Sequence, residues 1–319
     1  MKVRFVDRLV YWAARIAFAV TAHIPQWLGY GFARGLGRLF FRLDRRRRGY
    51  ALRFLRNAYP DLPEKELLRI GAASTANLFC VPLDMARLTR LLARGGDLHD
   101  VVDYSPAAHI LDLKPPFLAV TAHLGNWEVA AVTMAQQWQP GHGIARVSNN
   151  PLLQDWIQNN RERGGLHIHP RRGGIRGLAK ALETGGIGLQ VVDQNQRLRG
   201  VFAPVFGEIA SCERAAVSLA LRRGYPIVVG GTLRVGRGFR FRLVVSEPFV
   251  LQRTGHKPTD VYHGVVQMNQ RLEELIRQAP EQYLWIHDRY RTQPPPGFDP
   301  LAHAANEAGS DEAFAEDED

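Results

Sequence analysis

Hydrophobic and polar positions between residues 117 and 245 fall into blocks of two kinds. Short, largely apolar runs read as buried strands: Phe117 to Ala122, Gly143 to Val147, Leu166 to His169, Gly188 to Asp193 and Pro226 to Val235. Between them apolar residues recur every third or fourth position, which predicts helices over Trp127–Trp138, Pro151–Arg163, Gly174–Glu183 and Ser211–Arg223. Gly236-Arg-Gly238 then turns the chain back into Phe239–Val245, an antiparallel hairpin appended to the rest. This alternation predicts an α/β fold, a mostly parallel sheet with flanking helices. Active sites in such sheets lie beyond the carboxyl ends of strands, where His123 and Asp193 both fall. Upstream, Pro63 to Arg94 reads as two core helices.

The first forty residues follow another pattern. From Phe5 to Phe41 the chain is rich in aliphatic and aromatic side chains, broken by Arg15, His23, Arg34 and Arg38. The longest stretch without Lys, Arg, Asp or Glu, Ile16 to Ala33, contains His23, Pro25 and Gln26 and falls short of a clean spanning helix. It also lacks a cleavage site of the signal-peptide kind. Two readings stay open: a membrane-anchoring hairpin or single pass over Val10 to Leu39, or an amphipathic helical pair lying in the interface. Arg45-Arg46-Arg47-Arg48 follows, where anionic lipid attracts each basic residue by about 1 kcal/mol. The positive-inside rule then predicts the cytoplasmic face of the inner membrane. The expected division is membrane-associating helices over 1–48, a catalytic domain over 49–298 and an acidic, disordered tail over 299–319.

Composition sharpens the choice of partner. The chain carries a net charge of +10, although seven acidic residues and no Lys or Arg lie within Leu301 to Asp319, so the body is more basic than the total. A body of that charge attracts lipid headgroups, phosphates or an acidic carrier protein. No nucleic-acid-binding motif is present, and nucleic acid is not expected as a partner. Cys80 and Cys212 stand alone, which excludes a disulfide framework or a cysteine-based zinc site. No metal or cofactor is expected.

The candidate chemistry centres on His123-Leu-Gly-Asn-Trp-Glu128. On a continuous helix five residues turn by about 500°, leaving His123 and Glu128 far apart in direction. A strand end, a turn at Gly125 and an N-cap at Asn126 bring them together instead. In that geometry His123 takes the proton of a substrate hydroxyl while Glu128 holds the ring. Arg146, Asn149 and Asn150 open a helix, a place for an anionic group or for ordinary capping. Arg161 and Arg163 stand at that helix's far end, where compensation of the helix dipole alone explains them. Asp193 is a strand-end acid or a loop cap, and Gly200 to Gly207 could form an apolar lip around an acyl chain.

With His123-Leu-Gly-Asn-Trp-Glu128, Ala203-Pro-Val-Phe-Gly207 and Pro280-Glu-Gln-Tyr-Leu-Trp-Ile-His287 in this order, the chain resembles the lipid A biosynthesis (lauroyl/myristoyl) acyltransferase family over roughly residues 5–297. That family also includes the phosphatidylinositol mannoside acyltransferases, and it is similar in fold to the glycerophosphate acyltransferases. The resemblance implies transfer of an acyl chain from a thioester, carried by acyl-carrier protein or by CoA, to a hydroxyl of a glycolipid. It implies His123 as base, Glu128 as its orienter, Arg161 (with Arg163 as second choice) as a phosphate or donor contact, and Asp193 as the strand-end acid. Two departures, Asn195 in place of a second carboxylate and Asp288 in place of a basic residue, bear on the acceptor headgroup. Another lipid acceptor (a phosphatidylinositol mannoside, a lysophospholipid or an aminolipid) is the runner-up. A non-catalytic membrane-surface protein is the reading from a different class.

Overall fold

Residues 3–171 and 173–306 are described by the structure, a computed structural model. Two helices, α1 (Phe5–His23) and α2 (Gln26–Leu43), open the chain, followed by α3 (Arg45–Ala58), α4 (Glu64–Leu78), α5 (Val81–Ala93) and a two-residue strand β1 (Val102–Asp103). The alternating region is β2 (Phe117–Thr121), α6 (Trp127–Gln137), β3 (Gly141–Ala145), α7 (Pro151–Glu162), β4 (Leu166–Pro170), α8 (Gly174–Glu183) and β5 (Ile187–Val191). It continues through β6 (Val201–Val205), β7 (Glu208–Cys212), α9 (Ala215–Arg223), β8 (Ile227–Arg234) and β9 (Phe241–Val245), and the chain closes with α10 (Lys257–Arg277) and α11 (Pro300–Asn306).

Seven strands form one sheet in the order β1-β9-β8-β2-β5-β3-β4, all parallel except the β8–β9 hairpin. The predicted mostly parallel sheet with flanking helices is therefore present. Strand β2 lies in its middle, and its residues alternate between two cores. Leu118 and Val120 join α3, α8, α9 and α10 on one face, whereas Phe117 and Ala119 join α5 and α6 on the other. Burial on both faces is why β2 reads as a continuous apolar run. One register decides the site: Thr121 pairs with Val191, so the residues two further along each strand, His123 and Asp193, leave the sheet side by side.

The polybasic run does not close a separate N-terminal unit. Asp44 caps α3 through its Oδ1, which accepts from the Arg47 amide at 2.9 Å, and Arg45 to Arg48 form the first turn of that helix. Helix α2 buries Tyr30, Ala33 and Phe41 in the body. Its Gly37 lies so close to α4 that a Cβ there would stand 2.6 Å from the Ala76 Cα. The boundary expected at residue 48 thus falls inside α3. At the other end, α11 covers the start of the acidic tail with Ala304 buried, and residues 307–319 lie outside the described residues.

A second correction concerns residues 201–212. In place of an apolar lip and an early start to α9, β6 and β7 form a separate antiparallel hairpin. Phe206 (φ 46°) and Gly207 (φ 81°) make its turn. Phe206 is buried against Phe54 and Trp285, at ring separations of 5.8 and 5.7 Å, so this segment is core packing and not the wall of a groove.

Candidate active site

The turn after β2 has a backbone that only glycine permits at its centre. Gly125 has φ +59°, and a Cβ there would lie 1.9 Å from the Thr232 carbonyl oxygen of β8. The Gly125 amide donates to the Gln282 carbonyl at 3.1 Å and the Leu284 amide to the His123 carbonyl at 3.0 Å. The Pro280–His287 motif is therefore the clamp of the His123–Glu128 turn. Asn126 caps α6, its Oδ1 accepting from the Glu128 and Val129 amides at 3.0 and 3.1 Å.

His123 is held at two points by one carboxylate. Its backbone amide donates to Asp193 Oδ2 at 2.9 Å, and its ring Nδ1 meets Asp193 Oδ1 at 2.7 Å. With Nδ1 protonated and turned to Asp193, Nε2 is the basic nitrogen, and the Gln194 amide approaches it at 3.3 Å. Burial pushes the imidazole pKa down, but the Asp193 carboxylate outweighs it, and His123 titrates above its ordinary 6.5. Burial of Asp193 acts upward on that carboxyl, and the His123 charge and hydrogen bonds more than reverse it, holding Asp193 below its usual range. Trp127 packs its ring edge-on against the imidazole at 4.8 Å.

Glu128 has another partner. Its carboxylate pairs with Arg161 in a fork, Nη2 to Oε1 at 2.6 Å and Nε to Oε2 at 3.1 Å. The expectation that Glu128 orients His123 is corrected accordingly: the orienter is Asp193, delivered by the β2–β5 register, and Glu128 positions Arg161. Glu128 and Arg161 line a narrow apolar slot. Its deeper walls include Met134, Leu166, Ile168 and Leu189. Trp127 and Glu128, together with His123, line a much larger cleft, whose walls carry Arg46, Arg146, Arg171, Arg197 and Arg291. The apolar slot and the strongly basic cleft thus meet at Trp127 and Glu128.

The remaining candidates separate. Arg146 is exposed on the cleft wall. Asn150 is structural: its Oδ1 caps α7 at Leu152 and Leu153, and its Nδ2 donates to the Asp7 carbonyl of α1 at 2.9 Å. Arg163 is exposed at the end of α7 and lines neither cavity, which leaves Arg161 as the arginine of the site. Gly207 belongs to the β6–β7 turn and lines neither cavity. Two residues not singled out from the sequence border the cleft. His287 accepts the Asn195 amide at its Nε2 (3.1 Å), and burial holds its pKa below the usual value. Gln194 is the other. Asn195, the departure from a second carboxylate, ties down the C-terminal loop through both sides of its amide, bonded to Thr292 Oγ1 and to the Thr292 amide at 3.0 Å each.

Known proteins similar to this chain bear on the same site. The lauroyltransferase of lipid A biosynthesis from Escherichia coli K12 is 27% identical over 297 residues, covering 89% of this chain and 93% of its own. The myristoyltransferase of the same organism is 26% identical over 312 residues, covering 91% and 90%. The palmitoleoyltransferase is 30% identical over 179 residues, 56% of each chain. Among solved structures, a 1-acylglycerophosphate acyltransferase from Thermotoga maritima covers 81% of this chain and 98% of its own, at 13% identity and a TM-score of 0.35. The sequence profile of the bacterial lipid A biosynthesis acyltransferases matches residues 1–292. The chain that sets His123 and Asp193 side by side beyond the ends of β2 and β5 belongs to the bacterial lipid A biosynthesis acyltransferase family, and it is an acyltransferase.

Proposed function

We propose that this acyltransferase moves a fatty acyl chain from a thioester donor, acyl-carrier protein or CoA, to a hydroxyl of a lipid A-type glycolipid precursor, with His123 as general base. One observation carries the reading: His123 turns Nδ1 to Asp193 and lines a cleft walled by arginines, which shares Trp127 and Glu128 with an apolar slot. The acyl chain occupies the slot, and anionic groups of acceptor or carrier meet the arginines. As the hydroxyl oxygen bonds to the thioester carbonyl carbon, its proton passes to Nε2, and Asp193 stabilises the imidazolium. Breakage of the C–S bond then returns that proton to the departing thiolate. Arg161, fixed by Glu128, supplies N–H donors to the oxyanion of the tetrahedral intermediate.

The N-terminal helices support work at a lipid surface. Helix α1 exposes Phe5, Leu9, Trp12, Ile16 and Val20, and α2 exposes Trp27, Phe32, Leu36, Leu39 and Leu43, two apolar stripes at helical spacing. No helix among the described residues is long and apolar enough to cross a membrane, which favours the interfacial pair of the two readings. The proposed location is the cytoplasmic face of the inner membrane.

Purified protein given an acyl-carrier-protein thioester and disaccharide lipid acceptors should form acylated product. His123→Ala should lower turnover by at least ~10²-fold. Undiminished turnover in that variant would refute the mechanism. Asp288, which lines the cleft among the arginines, favours keeping a second acceptor class under test. Comparing the lipids of a deletion strain with those of its parent by mass spectrometry separates lipid A precursors from phosphatidylinositol mannosides, lysophospholipids and aminolipids.

A further inference from the structure

Behind the catalytic turn lies a buried polar network with no direct part in the chemistry. Asp84 of α5 and Arg234 of β8 form a fully buried ion pair, with Nη1 at 3.0 Å from Oδ1 and Nη2 against Oδ2. The Tyr30 hydroxyl of α2 donates to Asp84 Oδ1 at 2.6 Å, and the Asn126 side-chain Nδ2 donates to Asp84 Oδ2 at 2.9 Å. Arg234 Nε donates to Asn77 Oδ1 at 2.9 Å, and Asn77 in turn donates to the Gly125 carbonyl at 3.0 Å. One carboxylate therefore fixes Asn126, the cap of the helix that starts with Trp127 and Glu128, and its partner arginine fixes Gly125 through Asn77.

Burying a charge pair is costly, and a hydrophobic pair of similar volume often stabilises a fold as well or better. Its location suggests what the network is for. Besides the Arg234 bond to the Gly238 carbonyl (2.9 Å) and a longer one from Asn77 to the Gln282 carbonyl (3.4 Å), its branches end on Gly125, on Asn126 or on α2, and α2 is the helix whose other face carries the exposed apolar stripe. The same end of the molecule is tied down further: Arg87 of α5 donates to the Ile24 carbonyl between α1 and α2 at 2.5 Å, and Arg90 to the Ala22 carbonyl in the last turn of α1 at 2.8 Å.

We propose that Tyr30, Asp84 and Arg234 are positioning residues for the His123–Glu128 turn, and that through Tyr30 the seating of the lipid-facing helix α2 sets the order of that turn. The N-terminal helices are then part of the active-site scaffold and not a detachable anchor. The inference rests on the acyl-transfer reading for its kinetic arm alone.

The test uses the full chain with Tyr30→Phe, which keeps the ring and removes one hydrogen bond to a charged acceptor. The expected result is a kcat about tenfold lower with KM unchanged and thermal unfolding within a few degrees of the parent. A second variant, Asp84→Asn with Arg234→Gln, removes both charges together, so no unpaired charge is left buried, and should lower kcat further. Amide exchange gives a readout independent of activity. The Glu128 and Val129 amides, capped by Asn126, should exchange faster in Tyr30→Phe, while the His123 ring signal set by Asp193 stays in place. Vesicles of phosphatidylethanolamine and phosphatidylglycerol should slow that exchange in the parent and do so less in Tyr30→Phe. Parental kcat and parental exchange in folded Tyr30→Phe would overturn the positioning role, and an equal vesicle effect in both proteins would overturn the link to α2. If the parent transfers no acyl group to any acceptor, the functional reading fails while the exchange arms still decide this one.

Discussion

At the scale of single residues, the account depends on which acid serves His123. The H-x4-E spacing located the turn with its Asn126 cap, yet it paired His123 with the nearer acid along the chain. The actual partner, Asp193, is 70 residues away and arrives through the pairing of β2 with β5. A single sequence states that both residues end strands but does not state that those strands are neighbours. Asp193→Asn should reduce turnover by ~10²–10⁴-fold by allowing the wrong ring tautomer, with the fold retained, as circular dichroism and steady-state rates would show. Two glycines make a contrasting pair. Gly125→Ala puts a Cβ against the Thr232 carbonyl and should abolish activity and lower the unfolding temperature markedly. Gly207→Ala has an equally unfavourable φ but open space around it, and should cost only about 1–2 kcal/mol in denaturant unfolding.

At the scale of elements, the alternating apolar and periodic blocks located the strands and helices of the central sheet to within a few residues. The β6–β7 hairpin was missed because its apolar residues turn toward α10 and the aromatic core, where they resemble a groove lining in sequence. Phe54 of α3 is the hub of that core, ringed by Trp285 at 4.9 Å, Tyr290 at 5.1 Å and both Phe206 and Tyr283 at 5.8 Å. Phe54→Ala should destabilise the protein by ~3–5 kcal/mol, measurable by urea unfolding. The edge pair β3–β4 carries a different sensitivity. His142, His167 and His169 stack on one face, and burial, reinforced by its two neighbours, pushes His142 down to about 4, with His169 lowered in the same direction. Between the ordinary 6.5 and about 4 the unfolded chain binds a proton at His142 that the folded one does not, so stability should fall as the pH drops through that window. Protection of the β4 amides, taken relative to the intrinsic exchange rate at each pH, should fall over that range, and His142→Gln should blunt the change. Protection that is indifferent to pH there would contradict this account of the edge.

At the scale of the whole molecule, α1 and α2 expose apolar stripes, arginines wall a cleft, and that cleft shares Trp127 and Glu128 with an apolar slot. The sequence made the first two visible as a stripe of aromatics and an excess of arginine. The slot was legible only as a guess in the wrong place, because its walls come from β2, β3, β4, β5 and α6, which chain order does not put together. Trp27→Ala combined with Phe32→Ala removes two side chains that are 78% and 67% exposed, so unfolding should hardly change. Sedimentation with anionic vesicles should nevertheless show binding weakened by at least about tenfold. The central claim is that His123, oriented by Asp193, is the base, and the pH dependence of acyl transfer in the parent, Asp193→Asn and Glu128→Gln tests it most directly. The account predicts an acid limb above 6.5 in the parent, a large loss of rate and a downward shift of that limb in Asp193→Asn, and a smaller shift in Glu128→Gln. A limb that stays in place in Asp193→Asn, or moves chiefly in Glu128→Gln, would contradict it.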